Sequence, residues 1–144
     1  MIGLTILFFV IDLVSKLVVS NYLTLYKNYI LIDGFFNLTY VKNTGAAWSI
    51  LSGRINLLII ISLIVIIFGF IYAYKNKPKN KYVKVSYAMI LGGSIGNLFD
   101  RIVYGYVIDF LDFNLFGYNY PIFNLADSFI VIGVIIYVIS TWRD

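Results

Sequence analysis

The sequence predicts an all-α membrane protein in which four transmembrane helices carry a small extracytoplasmic β-cradle, in one domain over residues 1–144. Three observations support this fold class. First, 61% of the residues are hydrophobic and only 12% are charged, whereas a soluble domain is about one-quarter charged. Second, the apolar residues occur in four runs of helix length. Third, five of the eleven basic residues lie between the second and third runs, as expected of a cytoplasmic loop.

The four predicted spans lie at about 2–20, 55–74, 85–101 and 123–142. The second is the clearest, since twenty helical residues rise about 30 Å, the thickness of the hydrocarbon core. The third contains Gly92 and Gly96 at a spacing that lets helix backbones approach closely. The first contains Asp12 and Lys16, which lie on one helix face and either form a structural salt bridge or contribute to a site.

Two segments outside the spans differ from them in composition. Residues 21–54 are rich in Tyr, Phe, Asn and Thr, and a weak two-residue alternation from Phe36 to Asn43 favours β-strands. We interpret these residues as an outer sheet or cradle. Residues 102–122 form an outer loop, and we expect its aromatic stretch 110–120 to lie at the membrane interface as a short helix or lid.

The positive loop between the second and third spans predicts the topology. Its basic residues are Lys75, Lys77, Lys79, Lys81 and Lys84. With this loop in the cytoplasm, both chain termini are cytoplasmic, in agreement with Arg143 at the end of the fourth span. Asp109 then lies just beyond the outer end of the third helix, and Asp127 lies in the first outer turn of the fourth. The helical hairpin therefore brings two acids to the same outer surface.

Acid–base chemistry at this surface depends mainly on Asp, with Lys, Tyr or Ser as weaker candidates, because the chain contains no Cys, His or Glu. Two carboxyl groups that share a proton can hydrolyse a peptide bond without a metal, one activating water and the other donating a proton. A helix N-terminus favours the ionised form of Asp127, which leaves Asp109 as the protonated partner. Asp112 is close in sequence to Asp109, so chemistry alone does not choose between them. We expect no metal and no cofactor.

Other functions also fit some of these charges. Intramembrane Asp and Lys could form the relay of a small proton- or ion-coupled transporter, but transporter sites usually lie near the midplane at broken or repeated helices, and no repeat is evident. A structural or assembly protein with a salt-bridged bundle would not need acids and amides converging at one surface. Nucleic-acid binding is disfavoured, because the net charge of +4 is explained by the cytoplasmic lysine loop.

The polar motifs taken together resemble those of lipoprotein signal peptidase, the signal peptidase II family of bacterial membrane aspartyl proteases. They occur in the family's order over essentially the whole chain: Asp12 with Lys16, VKNTGAAWS from Val41 to Ser49, GGSIGNLFDR from Gly92 to Arg101, GYVIDF from Gly105 to Phe110, and FNLADS from Phe123 to Ser128. The resemblance implies an enzyme of the bacterial cytoplasmic (inner) membrane, with four transmembrane helices and an active site in an outer β-cradle. One departure is Trp48, where the family often has Phe.

The resemblance also implies an activity and roles for individual residues. The enzyme would cleave a prolipoprotein signal peptide on the N-terminal side of a diacylglyceryl-modified cysteine. The catalytic pair matches Asp109 and Asp127, and Asp12 and Lys16 match a supporting motif. The positions that bind substrate or shape the site are Asn43, Gly45, Asn97, Asp100, Arg101 and Asn124. The expected partners are the lipid-modified prolipoprotein and membrane lipids, with no nucleic acid, and we expect a monomer.

Overall fold

The computed structural model describes residues 1–46 and 50–142. Its elements in chain order are α1 (Ile2–Tyr22), β1 (Asn28–Ile32), β2 (Phe36–Asn43), α2 (Ile55–Asn76), α3 (Lys81–Tyr104), β3 (Val107–Leu115), β4 (Tyr118–Asn119) and α4 (Leu125–Thr141). Within the described residues, four helices and one small antiparallel sheet agree with the predicted fold class at that level. Trp48 and Arg143, which entered the sequence argument, lie outside them.

The helices differ in how well they suit a bilayer. In the described parts of the chain, α1 with 21 residues and α2 with 22 are long and apolar enough to cross a membrane. The apolar helix α4 has 17 residues, and α3 has 24 residues but includes glycines and charged positions. Many apolar side chains of α1 and α2 are exposed, a pattern consistent with contact to lipid rather than to water.

α3 is the central helix and packs against α1, α2 and α4. The close backbone approach predicted at its glycines is present. A Cβ atom added to Gly92 would lie 2.8 Å from the main-chain oxygen of Thr5 on α1, and one added to Gly96 would collide with the Asp12 carboxylate. A Cβ atom added to Gly93 would lie even closer to the main-chain oxygen of Ala126 on α4. These small residues let α1 and α4 lie directly against the polar part of α3.

The ends of α3 follow local capping chemistry. The helix begins at Lys81 rather than at residue 85, because the Asn80 side chain accepts a hydrogen bond from the main-chain nitrogen of Tyr82 at 2.8 Å. It continues to Tyr104 rather than stopping at residue 101, and ends where Gly105 adopts the left-handed conformation with φ 76°. The chain then enters β3 directly.

The sheet has the order β1-β2-β3-β4, and neighbouring strands are antiparallel. In the β2–β3 pair, Val41 lies opposite Asp109 and Asn43 lies opposite Val107. The sheet packs against α1 through a cluster of buried residues, Val19, Tyr40, Ile108 and Phe110. β3, which carries Asp109, is therefore paired at a defined register with β2, which carries Asn43. It also packs against α1.

The expected short helix in residues 110–120 is wrong, whereas a lid role for this segment stays a prediction. This stretch continues β3 and then turns at Phe116 and Gly117, which have φ values of 54° and 86°. Phe113 stacks on Phe36 of β2 with ring centroids 4.4 Å apart, and the two strands pair on both sides of a register shift between Leu38 and Val41. Aromatic side chains that find such cross-strand partners favour a strand, so the outer sheet continues beyond residues 21–54.

Candidate active site

Asp109 and Asp127 come from different elements and meet at one cavity. Asp109 lies on β3 and is only 2% exposed, while Asp127 is the third residue of α4 and is partly exposed. Both line a cavity of about 1160 Å³. The sheet and the bundle therefore each contribute one acid, as the predicted hairpin topology requires.

Asn124 joins the two acids. Its side-chain nitrogen donates to Asp109 Oδ1 at 2.7 Å, and its side-chain oxygen accepts from the main-chain nitrogen of Asp127 at 2.9 Å. In return, Asp127 Oδ2 accepts from the main-chain nitrogen of Asn124 at 3.2 Å. This reciprocal pair is a capping box. One residue thus starts α4 and orients the carboxyl group on β3.

Two further amides complete the hydrogen bonding of the acid pair. Asn43 donates to Asp109 Oδ2 at 2.8 Å, and Asn97 donates to Asp127 Oδ1 at 2.8 Å. The Asn43 side chain is itself oriented, because its oxygen accepts from the main-chain nitrogen of Gly45 at 2.9 Å. Each of the four carboxyl oxygens therefore accepts one hydrogen bond from a residue that the sequence analysis singled out.

The environment of Asp109 favours its protonated form. Burial raises the pKa of Asp109 from its ordinary value of 3.8 to about 7, and the charge of Asp127 acts in the same direction. The hydrogen bonds from Asn43 and Asn124 lower this pKa but have smaller effects. Asp109 therefore retains a proton in a large share of molecules near neutral pH, which is the role that the helix-terminus argument left to it.

Asp12, Lys16 and Asp100 form a buried ion cluster behind the acid pair. Lys16 Nζ lies 2.8 Å from Asp12 Oδ2 and 3.0 Å from Asp100 Oδ2, and none of the three residues is more than 1% exposed. The salt bridge considered for Asp12 and Lys16 is thus present. Lys16 also donates to Asn97 Oδ1 at 3.0 Å. Asn97 therefore contacts both the ion cluster and Asp127.

The two acids of the ion cluster also bind main chain next to the acid pair. Asp100 Oδ2 accepts from the main-chain nitrogen of Ile108 at 3.1 Å, and Asp12 Oδ1 accepts from that of Ala126 at 2.9 Å. Ile108 and Ala126 immediately precede Asp109 and Asp127 in the chain. The ion cluster therefore positions the backbone of both members of the pair.

Arg101 joins α3 to the segment that follows β2. It lines the same cavity as the acid pair, and its Nη2 donates to the main-chain oxygen of Gly45 at 3.3 Å. Its Nε is buried and has no hydrogen-bond partner among the described residues. Arg101 thus contributes positive charge to the cavity and holds the Asn43–Gly45 turn in place.

Comparison with known proteins identifies the family. The family model described as "Signal peptidase (SPase) II" matches residues 4–143. The chain belongs to the signal peptidase II family. The lipoprotein signal peptidases of Staphylococcus haemolyticus strain JCSC1435 and Staphylococcus aureus strain JH9 are each 38% identical to it over 135 residues, which is 94% of this chain and 85% and 83% of those relatives.

Two solved structures share the fold of this chain. Two bacterial membrane enzymes superimpose with TM-scores of 0.91 and 0.88, each at 36% sequence identity and over 99% of this chain, corresponding to 87% and 92% of those chains. The chain is thus a signal peptidase, and with its apolar helices it is a bacterial membrane protein. Family membership decides against the transporter and structural-protein alternatives.

The strand places Asp112 apart from the acid pair of the peptidase. Alternate residues of a strand point to opposite faces, so Asp109 and Asp112, three residues apart, face different ways. Asp112 accepts a hydrogen bond from the Thr39 hydroxyl at 2.7 Å and is not among the residues that line the cavity. The sequence chemistry left the choice between Asp109 and Asp112 open, and the geometry favours Asp109.

Some features of the candidate site were not anticipated from the sequence. The cavity also has an apolar wall, which includes Ile61 and Val65 on α2 and Ile130 and Val131 on α4. No signal marks these residues, because they lie in uniformly apolar spans. The capping box did have a signal, since Asn124 precedes Asp127 by three residues. Among the described residues, no group of three or more His, Cys, Asp or Glu side chains has metal-site geometry.

Proposed function

We propose that this signal peptidase is an aspartic endopeptidase that removes the signal peptide from diacylglyceryl-modified prolipoproteins, cutting on the N-terminal side of the lipidated cysteine without a metal ion. The relatives named as lipoprotein signal peptidases support the substrate class. The observation that carries the mechanism is the pair Asp109 and Asp127, which line one cavity and are joined through Asn124.

The proposed reaction divides acid and base between the two carboxyl groups. Ionised Asp127 takes a proton from water as the water attacks the scissile carbonyl carbon, and protonated Asp109 donates its proton to the carbonyl oxygen. The departing amine then receives the proton held by Asp127 as the C–N bond breaks, and one hydroxyl of the tetrahedral intermediate returns a proton to Asp109 as the carboxyl group of the product forms. The raised pKa of Asp109, about 7, supports its role as the acid. The N-terminus of α4 and the donors on Asn97 and Asn124 stabilise the Asp127 carboxylate.

We further propose that all four helices cross the membrane, with the lysine loop and both termini in the cytoplasm and the acid pair at the outer face. The charge distribution supports this orientation. The segment 75–84, which covers the end of α2, the connecting loop and the start of α3, contains five lysines and no acid, as a cytoplasmic segment should. The charged residues Asp100 and Arg101 lie near the other end of α3, beside the sheet.

The cavity suits a substrate that is part peptide and part lipid. Its polar end contains the acid pair and Asn43, whereas its apolar wall lies on α2 and α4. A diacylglyceryl group would hold the neighbouring scissile bond at one depth, because burial contributes about 0.8 kcal/mol per CH₂ group. The signal peptide and lipid would lie against the apolar wall, and the peptide bond would face the acids. We propose that one copy of the chain is sufficient.

The test uses purified protein in detergent with a diacylglyceryl-modified prolipoprotein, and cleavage is read as a mass change. We expect a cut on the N-terminal side of the modified cysteine that persists in a metal chelator. We also expect a much lower initial rate for the unlipidated prolipoprotein in the same micelles. No cleavage by folded protein at any pH would overturn the proposed activity. Loss of cleavage in the chelator, restored by a divalent ion, would indicate a metallohydrolase. Equal rates on both substrates would show that the diacylglyceryl group does not position the scissile bond.

A further inference from the structure

A second cavity lies at the end of the bundle opposite the acid pair. It has a volume of about 700 Å³ and is formed by the start of α1, the end of α2 and the start of α3 with their connecting loop. Three lysines line it, Lys77, Lys79 and Lys84. We name this cavity the lysine cleft. The signal peptidase reaction described above does not use it.

The lysine cleft concentrates positive charge that no acid among the described residues pairs with. The ion pairs within residues 1–46 and 50–142 are those that Lys16 makes with Asp12 and Asp100, so none involves a cleft lysine. The sequence also contains no acidic residue from 34 to 99. All three cleft lysines are exposed. Their ammonium groups are therefore available to an anionic ligand.

The rest of the lysine cleft is apolar. Ile2 on α1 and Ala73 and Tyr74 on α2 form part of its lining. Ile2 and Tyr74 are largely exposed and continue onto the outer apolar surfaces of their helices, which we place in lipid. A small free anion would use the lysines but not this wall. A ligand with a charged head and hydrocarbon tails would use both.

We propose that the lysine cleft binds an anionic phospholipid, with its phosphate group at the lysines and its acyl chains along the outer surfaces of α1 and α2. Lysine side chains suit this position because their stems lie on apolar surface while their ammonium groups reach the headgroups. Clusters of basic residues at the cytoplasmic ends of spans attract anionic lipids for the same electrostatic reason. The inference rests on the proposed membrane orientation and is independent of the proposed peptidase mechanism.

The test measures lipid binding directly, by native mass spectrometry of the full chain released from a neutral detergent. The purified protein is titrated with phosphatidylglycerol or with phosphatidylcholine. We expect phosphatidylglycerol to bind more tightly. The double variant Lys79→Gln/Lys84→Gln should weaken phosphatidylglycerol binding by roughly ten-fold or more and leave phosphatidylcholine binding unchanged, which also shows that the variant is folded.

The matched control is Lys75→Gln/Lys81→Gln, which removes two charges from the same loop outside the cleft lining. We expect this variant to retain most of its phosphatidylglycerol binding. Equal weakening by the two double variants would assign the effect to the general charge of the loop and overturn the site. The absence of any phosphatidylglycerol preference in the unmodified protein would overturn it as well.

Two further arms separate the possible explanations. Inorganic phosphate that displaces phosphatidylglycerol at similar concentration would show a free-anion site rather than a lipid site. Prolipoprotein cleavage by the same preparations tests the proposed function alone, since the lysine cleft lies at the far end of the bundle. Failure of phosphatidylglycerol binding with intact cleavage would reject only the lipid site in the lysine cleft. Intact phosphatidylglycerol binding without cleavage would reject only the peptidase mechanism.

Discussion

Two groups of aspartates lie side by side in this protein and differ in how their charge is balanced. In the buried ion cluster, Asp12 and Asp100 share the cation Lys16 and are closed to solvent. In the acid pair, Asp109 and Asp127 accept hydrogen bonds mainly from amides and open onto a cavity. The Lys16 cation offsets part of the cost of burying the two carboxyl groups of the ion cluster. Asp109 forms no ion pair among the described residues, and burial raises its pKa.

The two groups are coupled through the backbone and through Asn97. Each acid of the ion cluster accepts a main-chain hydrogen bond from the residue before a member of the acid pair, Ile108 or Ala126. Asn97 accepts from Lys16 and donates to Asp127. The ion cluster thus positions the pair, while the pair lines the cavity. Substitutions in the two groups should therefore fail in different ways.

The largest effect is expected for Asp109→Asn and Asp127→Asn. Each removes one proton-transfer role at almost constant volume, so cleavage should fall by about a thousand-fold or more, while thermal unfolding and the helix signal in circular dichroism change little. Initial rates with the lipid-modified prolipoprotein measure the loss. An active Asp109→Asn variant together with an inactive Asp112→Asn variant would show that the pair has been assigned to the wrong residues.

Lys16→Met should affect stability first. It leaves Asp12 and Asp100 buried without their cation, which costs about 3–5 kcal/mol in comparable buried pairs. The unfolding midpoint in detergent should fall sharply, and activity should fall with it because the backbone beside the acid pair moves. Lys27→Met is the matched control, since Lys27 lies over the Tyr29 ring on the exposed sheet. Similar midpoints for the two variants would contradict a structural role for the ion cluster.

A smaller effect is expected in the pH dependence of the free energy of unfolding, and it comes from Asp109 of the acid pair. The folded-state pKa of Asp109 is raised from 3.8 to about 7, so the folded protein binds more protons than the unfolded chain within this range. This contribution to stability is complete below about pH 4 and is lost as pH rises towards about 7, by at most about 1.4 kcal/mol per pH unit for one proton. Asp109→Asn should reduce this slope in unfolding measurements, and an unchanged slope would contradict the raised pKa of Asp109.

The same protonation should appear in the kinetics. Cleavage should decline above about pH 7 as the general acid Asp109 loses its proton. The profile should be bell-shaped, and its two limbs belong to the coupled pair rather than to single residues. A rate that stays constant from pH 6 to pH 9 would be incompatible with Asp109 acting as the acid.

The smallest effect is expected for Asp112→Asn. Asp112 accepts one hydrogen bond from Thr39 outside the cavity, so the variant should retain most activity and lose about 0.5–1.5 kcal/mol of stability at most. Thr39→Val removes the same hydrogen bond from the other strand and should match it. Rates and unfolding midpoints for both variants provide the check. A large loss of activity in one but not in the other would point to a role for that side chain beyond this contact.

The sequence by itself determined the helical framework and the composition of the site. Hydropathy and spacing are local properties, so four helices, the Asp12–Lys16 pair and the close approach at Gly92 and Gly96 could be predicted from neighbouring residues. The motif set identified the family and named the residues that meet around the cavity. The convergence of two acids also followed, because a helical hairpin must return its ends to the same surface.

Only the tertiary structure decided how those residues are joined. Residues 110–120 became strand because β2 supplied a hydrogen-bonding partner and aromatic contacts, which no local pattern reveals. The same pairing turned Asp109 and Asp112 to different faces. Lys16 gained Asp100 and Asn97 as partners more than eighty residues away, and burial by distant elements raised the pKa of Asp109. Desolvation and ion pairing depend on which surfaces meet in space, so a carboxyl group's role here is set by its surroundings rather than by its place in the chain.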